Sequence, residues 1–153
     1  MADDPATPNG YDPALLTRFF EERIPFNAWL GIRIEALGRG SCVLRLPARP
    51  EFVGNPGLPA VHGGVLSTLC DTAGGLAVFT ALSAGHSVST VDLRVDYLRP
   101  GKVDAWIFAS AEVVRLGNRV AVANCEIWQD DPTNAIAQAR GVYNIHRGGI
   151  GPR

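Results

Sequence analysis

The sequence is poor in charged residues, and neither sign is in excess. Charged residues make up 19% of the 153 positions, with 14 basic and 15 acidic side chains. A formal net charge of -1 gives no electrostatic reason to expect nucleic acid or an anionic membrane as the main partner. Because 46% of the residues are apolar, the composition is instead typical of a globular domain with a hydrophobic core.

Cysteines are few and widely spaced. Only three occur, Cys42, Cys70 and Cys125, and their spacing matches no metal-binding motif. Their odd number leaves at least one thiol unpaired, which favours a reducing compartment. We therefore expect a cytoplasmic protein that uses neither a metal nor another cofactor.

Long apolar runs are also missing. No uninterrupted run approaches the roughly 20 residues that a membrane span needs, and acids stand near the N-terminus where a signal peptide would carry basic residues. The first ten residues have no apolar period. We expect a disordered tail at 1–10, a single domain at 11–147 and a flexible tail at 148–153.

The remaining chain predicts an α+β domain. Asp12 and Pro13 begin a short amphipathic helix that ends near Pro25, a β-hairpin lies within 31–47, and a long helix covers 63–82. Four extended segments with turn signals between them predict a long antiparallel meander. They span 87–98, 103–115, 119–129 and 135–146. A sheet wrapped around the long helix is the expected core.

Alternation in segment 87–98 divides its side chains between two faces. Val91, Leu93, Val95 and Tyr97 share the apolar face that we expect to meet the helix. Thr90 falls on the opposite face, with the charged residues of the segment.

An acid stands on the long helix opposite its apolar stripe. Asp71 lies about 180° from the middle of that stripe, and its neighbours one turn away are Ser67, Thr68, Gly74 and Gly75, all small. Two glycines inside a helix cost about 1 kcal/mol each relative to alanine, so close approach of another surface or a ligand should compensate. Asp71 is therefore the candidate catalytic carboxylate, although an acid on a helix is more often only solvated.

The segment His62-Gly63-Gly64 precedes this helix, where unpaired N–H groups and the positive end of the helix dipole face outward. A donor held there can stabilise the oxygen that gains negative charge during acyl transfer, and Gly63 N–H is our first choice. His62 and Asp71 lie nine residues apart, roughly 13 Å along a helix. If they act together, a second chain must supply one of them, most simply in a two-fold dimer with antiparallel helices.

These residues carry a family resemblance. The run GNPGLPAVHGGVLSTLCDTAGGLAV (54–78), followed by STVDLRVDYLRPG (89–101), resembles the phenylacetate-degradation-type (PaaI-like) branch of hotdog-fold acyl-CoA thioesterases. The resemblance spans most of the chain, from about Phe26 to His146. It implies a hotdog fold, a curved antiparallel sheet around a long central helix, in a homodimer that pairs into a homotetramer.

The resemblance also implies roles for single residues. Asp71 would act as nucleophile or as general base toward water, and Gly63 N–H would polarise the thioester carbonyl of an acyl-CoA. His62 would shape the turn around that donor. Asn55 resembles the family's polar residue that holds water or substrate ahead of the HGG motif.

Further residues are expected to contact the substrate. Some relatives use a serine or threonine one turn past the acid, where this chain has Gly75, so Ser67 or Thr68 substitutes for it or the contact is absent. Gly64 would allow the substrate to approach closely, and Arg99 is a candidate partner for the CoA phosphates. The other available cations are Arg94, Lys102, Arg115 and Arg119.

Two aromatic residues predict a further contact between chains. Trp106 and Phe108 lie on a polar strand face, which favours a tetramer contact there.

Two alternative functions use the same fold. A non-catalytic module that binds acyl-CoA would use the same cleft, but retention of Asp71 argues against it. A hotdog hydratase would carry a different histidine motif, which this sequence lacks.

Overall fold

The computed structural model describes residues 10–148, so the expected tails, apart from Gly10 and Gly148, lie outside the described residues. Its α-helices are α1 (Pro13–Arg18), α2 (Pro25–Leu30) and α3 (Gly63–Ala81). Its strands are β1 (Arg33–Gly38), β2 (Ser41–Leu46), β3 (His86–Tyr97), β4 (Ile107–Leu116), β5 (Val120–Trp128) and β6 (Ala137–Arg147). The hotdog architecture predicted from the sequence is confirmed, since a six-stranded antiparallel sheet packs on the long helix α3.

The N-terminal helical run begins and ends as predicted, but it changes its winding on the way and a second helix follows it. Asp12 caps α1 by accepting a hydrogen bond from Ala14 N at 2.9 Å. The helix then widens into a π-helical turn at Phe19–Arg23, and a second helix, α2, begins at Pro25. The predicted end of this helical run near Pro25 is confirmed, since Ile24 is extended, but the prediction did not include the π-helical turn or α2. Pro25 stops the preceding turn because it lacks an N–H, yet its fixed φ suits the first turn of a new helix.

The order of strands in the sheet is β1-β2-β4-β5-β6-β3. Only β4, β5 and β6 form a meander, because β3 pairs with β6 at one edge while β2 pairs with β4. The predicted four-stranded meander was therefore wrong. The Pro100-Gly101 signal marks an irregular crossover between β3 and β4, and the expected strand at 103–115 starts only at Ile107.

Helix α3 supplies the centre of the core. Its buried residues include Leu66, Leu69, Ala73, Leu76 and Ala77, as the periodicity predicts. Within residues 10–148, α3 is also the one helix whose length and mean hydropathy of 1.3 would suit a membrane span, although no uninterrupted apolar run marks it in the sequence. In this fold 56% of that span is buried against the sheet and neighbouring elements.

The three cysteines, although distant in sequence, converge in this core. Cys42 on β2, Cys70 on α3 and Cys125 on β5 are all buried and free. Burial raises the pKa of the Cys42 thiol to about 12. The pKa of the Cys125 thiol is also raised well above its ordinary value, mainly by a hydrogen bond with Cys70 and to a lesser extent by burial.

A β-bulge in the edge strand β3 reverses the side-chain alternation. The pairing of β3 with β6 shifts between Thr90 and Asp92, and Val91 between them is 64% exposed. Leu93 and Val95 pack against the core as expected. The assignment of Val91 to the buried face and of Thr90 to the opposite face was wrong, because one extra residue in a strand exchanges the two faces.

Candidate active site

Asp71 lies half-buried on α3, and a residue of strand β3 holds its carboxylate in place. Thr90 Oγ1 donates a hydrogen bond to Asp71 Oδ1 at 2.7 Å. This contact exists because the bulge at Val91 turns Thr90 toward the helix. Alternation in the sequence placed Thr90 on the wrong face, so sequence reasoning missed it. A hydroxyl donor of this kind fixes the direction of the carboxylate and leaves its second oxygen available.

A cavity of about 320 Å³ opens beside this pair. Asp71, Thr90, Gly75 and Tyr143 contribute to its wall. The N-terminal helical segment, residues 13–30, covers it with apolar side chains: Leu16, Phe19, Phe20 and Ile24. The carboxylate therefore faces a largely apolar space of a size typical for small-molecule sites.

The glycine pair on α3 is explained by contacts within the same chain. A Cβ atom on Gly74 would lie 2.1 Å from the Tyr143 hydroxyl oxygen, and one on Gly141 would lie 2.4 Å from the same oxygen. The ring of Tyr143, on β6, thus fills the space that the two glycines leave. Burial and the charge of Asp71 raise the pKa of Tyr143, so the phenol stays neutral. The close approach of another surface that the glycines predict is therefore met at Gly74 by Tyr143 of the same chain.

The start of α3 is capped by the histidine of the HGG motif. His62 is the N-cap residue, and its Nδ1 accepts a hydrogen bond from Gly64 N at 2.8 Å. The next amide, Val65 N, donates to His62 O at 2.9 Å. Gly63 N–H, in contrast, donates to no atom within residues 10–148. It is thus free to donate to a substrate oxygen.

Tyr97 covers the other side of this turn. Its hydroxyl donates to Gly63 O at 3.1 Å and lies 2.5 Å from Ser67 Oγ. A cleft of about 380 Å³ lies between Gly63, Tyr97 and Arg99. Eight residues of helix, about 12 Å, separate Gly63 from Asp71, which lines the other cavity. Within one chain, the Asp71 carboxylate and the Gly63 amide therefore line two separate cavities.

Comparison with known proteins decides the family. The family model described as "Thioesterase superfamily" matches residues 58–136, which contain the HGG turn, all of α3 and β3. The chain belongs to the thioesterase superfamily. It is accordingly a thioester hydrolase, as the sequence predicts.

Individual relatives of this thioesterase cover nearly its whole length. The medium/long-chain acyl-CoA thioesterase YigI of Salmonella typhimurium is 34% identical over 144 residues, which are 86% of this chain and 92% of YigI. The structure of Escherichia coli PaaI, from the phenylacetic acid degradation operon, is 26% identical, covering 89% and 94% of the two chains with a TM-score of 0.79. A thioesterase family protein of Silicibacter pomeroyi is 29% identical, with coverage of 88% and 98% and a TM-score of 0.79.

The remaining predicted site residues have local partners in this thioesterase. Thr68 Oγ1 donates to Gly64 O at 2.8 Å and Ser67 Oγ bonds to Tyr97, and within the described residues neither hydroxyl bonds to the Asp71 carboxylate. The hydroxyl that bonds to Asp71 belongs to Thr90 instead. Gly64 supplies the amide that His62 caps, and its role toward substrate stays a prediction.

Asn55 and Arg99, the predicted polar residues at the edges of the site, also hydrogen-bond to groups of the same chain. Asn55, which is exposed, accepts a hydrogen bond from Gly57 N at 2.9 Å through its Oδ1. Arg99 donates to Asn134 Oδ1 and, at 3.1 Å, to Ala135 O. Arg99 also lines the cleft with Gly63. Substrate roles for Asn55 and Arg99 stay predictions.

Proposed function

We propose that this thioesterase hydrolyses an acyl-CoA to the free acid and CoA, with Asp71 as nucleophile or general base. The observation that carries the proposal is the Asp71 carboxylate, which Thr90 holds at 2.7 Å against an apolar cavity. The match to YigI, named as an acyl-CoA thioesterase, supports the same substrate class. Asp71 is a suitable catalyst because a thiolate leaves without strong protonation.

The proposed reaction has two forms. As general base, Asp71 takes a proton from water while the water oxygen bonds to the carbonyl carbon. The resulting oxyanion accepts a hydrogen bond from Gly63 N–H, and collapse of the intermediate breaks the carbon–sulfur bond. As nucleophile, Asp71 itself displaces the thiolate, and water then hydrolyses the anhydride. Neither form uses a metal or another cofactor.

The proposed complete site needs two chains. Edge strand β3 runs from Thr90, beside Asp71, to Tyr97, beside Gly63. Strand β3 is 12 residues long and forms one edge of the sheet, and such an edge can pair with a strand of another chain. Val91 on this strand is 64% exposed. If two copies pair these edges antiparallel about a two-fold axis, Asp71 of one chain approaches Gly63 of the other.

Higher assembly and location are further parts of the proposal. Trp106 is 46% exposed, and Phe108 stacks on Trp128 with ring centroids 5.8 Å apart. This aromatic surface supports pairing of two dimers into a homotetramer. The three free cysteines support a cytoplasmic location, because disulfides are rare in reducing compartments.

The test is release of free thiol from a panel of acyl-CoAs. We expect Asp71→Asn to lower turnover by about 100-fold or more while the oligomer stays folded, because the change removes the charge with little change in volume. Asp104→Asn is the matched control, since Asp104 is exposed and lines neither cavity. Near-normal turnover by Asp71→Asn would refute the assignment. Tight binding of acyl-CoA by the wild type without thiol release would instead support the non-catalytic binding module.

A further inference from the structure

We propose that Gly75 sets how much of an apolar acyl chain fits into the cavity beside Asp71. This inference rests on the proposed function, because the acyl group reaches the cavity only if Asp71 faces the thioester. It assigns the N-terminal helical segment a role in specificity, since that segment covers the cavity.

The chemistry of the lining selects the acyl part of the substrate rather than its nucleotide. Among the described residues, Asp71 is the only charged side chain that lines the cavity, and Tyr143 is a neutral phenol. The phosphates of CoA need cations, which this lining does not offer. Leu16, Phe20 and Phe79 instead offer aliphatic and aromatic surface. A charged acyl group would lose its hydration there without gaining a partner.

The size of the cavity favours an acyl chain of medium length over a short one. A dry cavity of about 150 Å³ lined by leucine, isoleucine and phenylalanine holds benzene. The cavity beside Asp71, at about 320 Å³, is roughly twice as large. A butanoyl group would therefore leave much of the lining without contacts, whereas an acyl chain of medium length would meet more of it.

Gly75 is the position where the lining is open to a side chain. A Cβ atom there would meet only Tyr143 Cε1, at 3.7 Å, which is ordinary van der Waals contact. A larger side chain at residue 75 must then extend into the cavity that Gly75 lines. The neighbouring Gly74 offers no such space, because its Cβ would lie 2.1 Å from the Tyr143 hydroxyl oxygen.

The experiment compares kcat/KM for butanoyl-, octanoyl-, dodecanoyl- and phenylacetyl-CoA. We expect the wild type to prefer octanoyl-CoA over butanoyl-CoA by about tenfold or more. Gly75→Leu should lower kcat/KM for octanoyl- and dodecanoyl-CoA by at least about tenfold relative to butanoyl-CoA. Gly75→Ala, which adds one carbon atom, should shift this ratio much less.

A second variant tests the opposite direction and does not depend on residue 75. Phe19→Ala enlarges the cavity from the N-terminal helical segment, so the ratio of dodecanoyl- to octanoyl-CoA activity should rise. Equal effects of both variants on every substrate would overturn the acyl-chain assignment and leave the proposed function standing. Failure of the wild type to release thiol from any of the four substrates would overturn the proposed function itself.

Discussion

The two adjacent glycines of α3 should respond in opposite ways to the same substitution. Replacing either one with alanine gains about 1 kcal/mol of intrinsic helix stability. At Gly75 the added methyl group makes only a 3.7 Å contact, so this gain should appear in the free energy of unfolding. At Gly74 the methyl group would lie 2.1 Å from the Tyr143 hydroxyl oxygen and 2.8 Å from Cζ. Overpacking of this kind costs about 1–3 kcal/mol.

The magnitude follows from the limited freedom of the Tyr143 ring. Tyr143 is 1% exposed, and Gly141 closes the space on its other side. We therefore expect Gly74→Ala to be less stable than Gly75→Ala by about 1–3 kcal/mol. Each kcal/mol corresponds to a difference in Tm of about 2–4 °C for a chain of this size.

Urea unfolding at one fixed protein concentration measures this difference, because the stability of an oligomer depends on concentration. Adding Tyr143→Phe removes the hydroxyl oxygen, which is the atom closest to the new methyl group at position 74. This second change should therefore restore part of the stability that Gly74→Ala loses, and it should not raise the stability of Gly75→Ala. This double-mutant comparison isolates the contact. Equal stability of Gly74→Ala and Gly75→Ala would refute the role of Tyr143 in requiring a glycine at position 74.

Three further predictions follow from single contacts. Thr90→Val removes the hydrogen bond to Asp71 and should lower kcat by about tenfold with little change in KM, whereas Thr90→Ser should keep most activity; equal kcat values for the two variants would count against the contact. His62→Ala removes the cap of α3 and should lower the free energy of unfolding by about 1 kcal/mol, which His62→Asn should restore; an alanine variant as stable as the wild type would exclude the cap. Burial raises the pKa of Cys42 from 9.0 to about 12, so the stability present below pH 9 is lost as the pH rises toward 12, by about 1.4 kcal/mol per pH unit. Cys42→Ala should make the free energy of urea unfolding fall less steeply over this range, and an unchanged slope would contradict the prediction.

Local patterns in the sequence predicted the parts of the site that one segment builds. The cap at Asp12, the extent of α3 and the placement of Asp71 away from its buried stripe all follow from spacing along a helix. The HGG turn could be placed at the start of α3 for the same reason. These features need no information about distant segments.

Features that depend on pairing between distant segments were missed. The Thr90–Asp71 contact requires a bulge at Val91, and the neighbouring sequence contains no glycine or proline to mark it. The glycines at 74 and 75 predicted close approach of another surface or a ligand, but the sequence could not show that Tyr143 reaches Gly74 from β6. The pairing of β3 with β6 was missed as well. Pro100-Gly101 looks like an ordinary hairpin turn, whereas β3 and β4 lie apart in the sheet that wraps around α3.

The central claim, that Asp71 of one chain acts with Gly63 N–H of its neighbour, is tested most directly by mixing two inactive variants. Gly63→Pro removes the N–H at the first position of α3, where proline is tolerated and where His62 already has the extended backbone that a following proline prefers. Gly63→Ala keeps the N–H and adds the same Cβ atom, so it serves as the matched control. After Asp71→Asn and Gly63→Pro chains are unfolded and refolded together, mixed dimers contain one intact site each, and we expect about one quarter of wild-type activity. Mixed dimers confirmed by native mass spectrometry that show no activity above either parent would contradict the shared site.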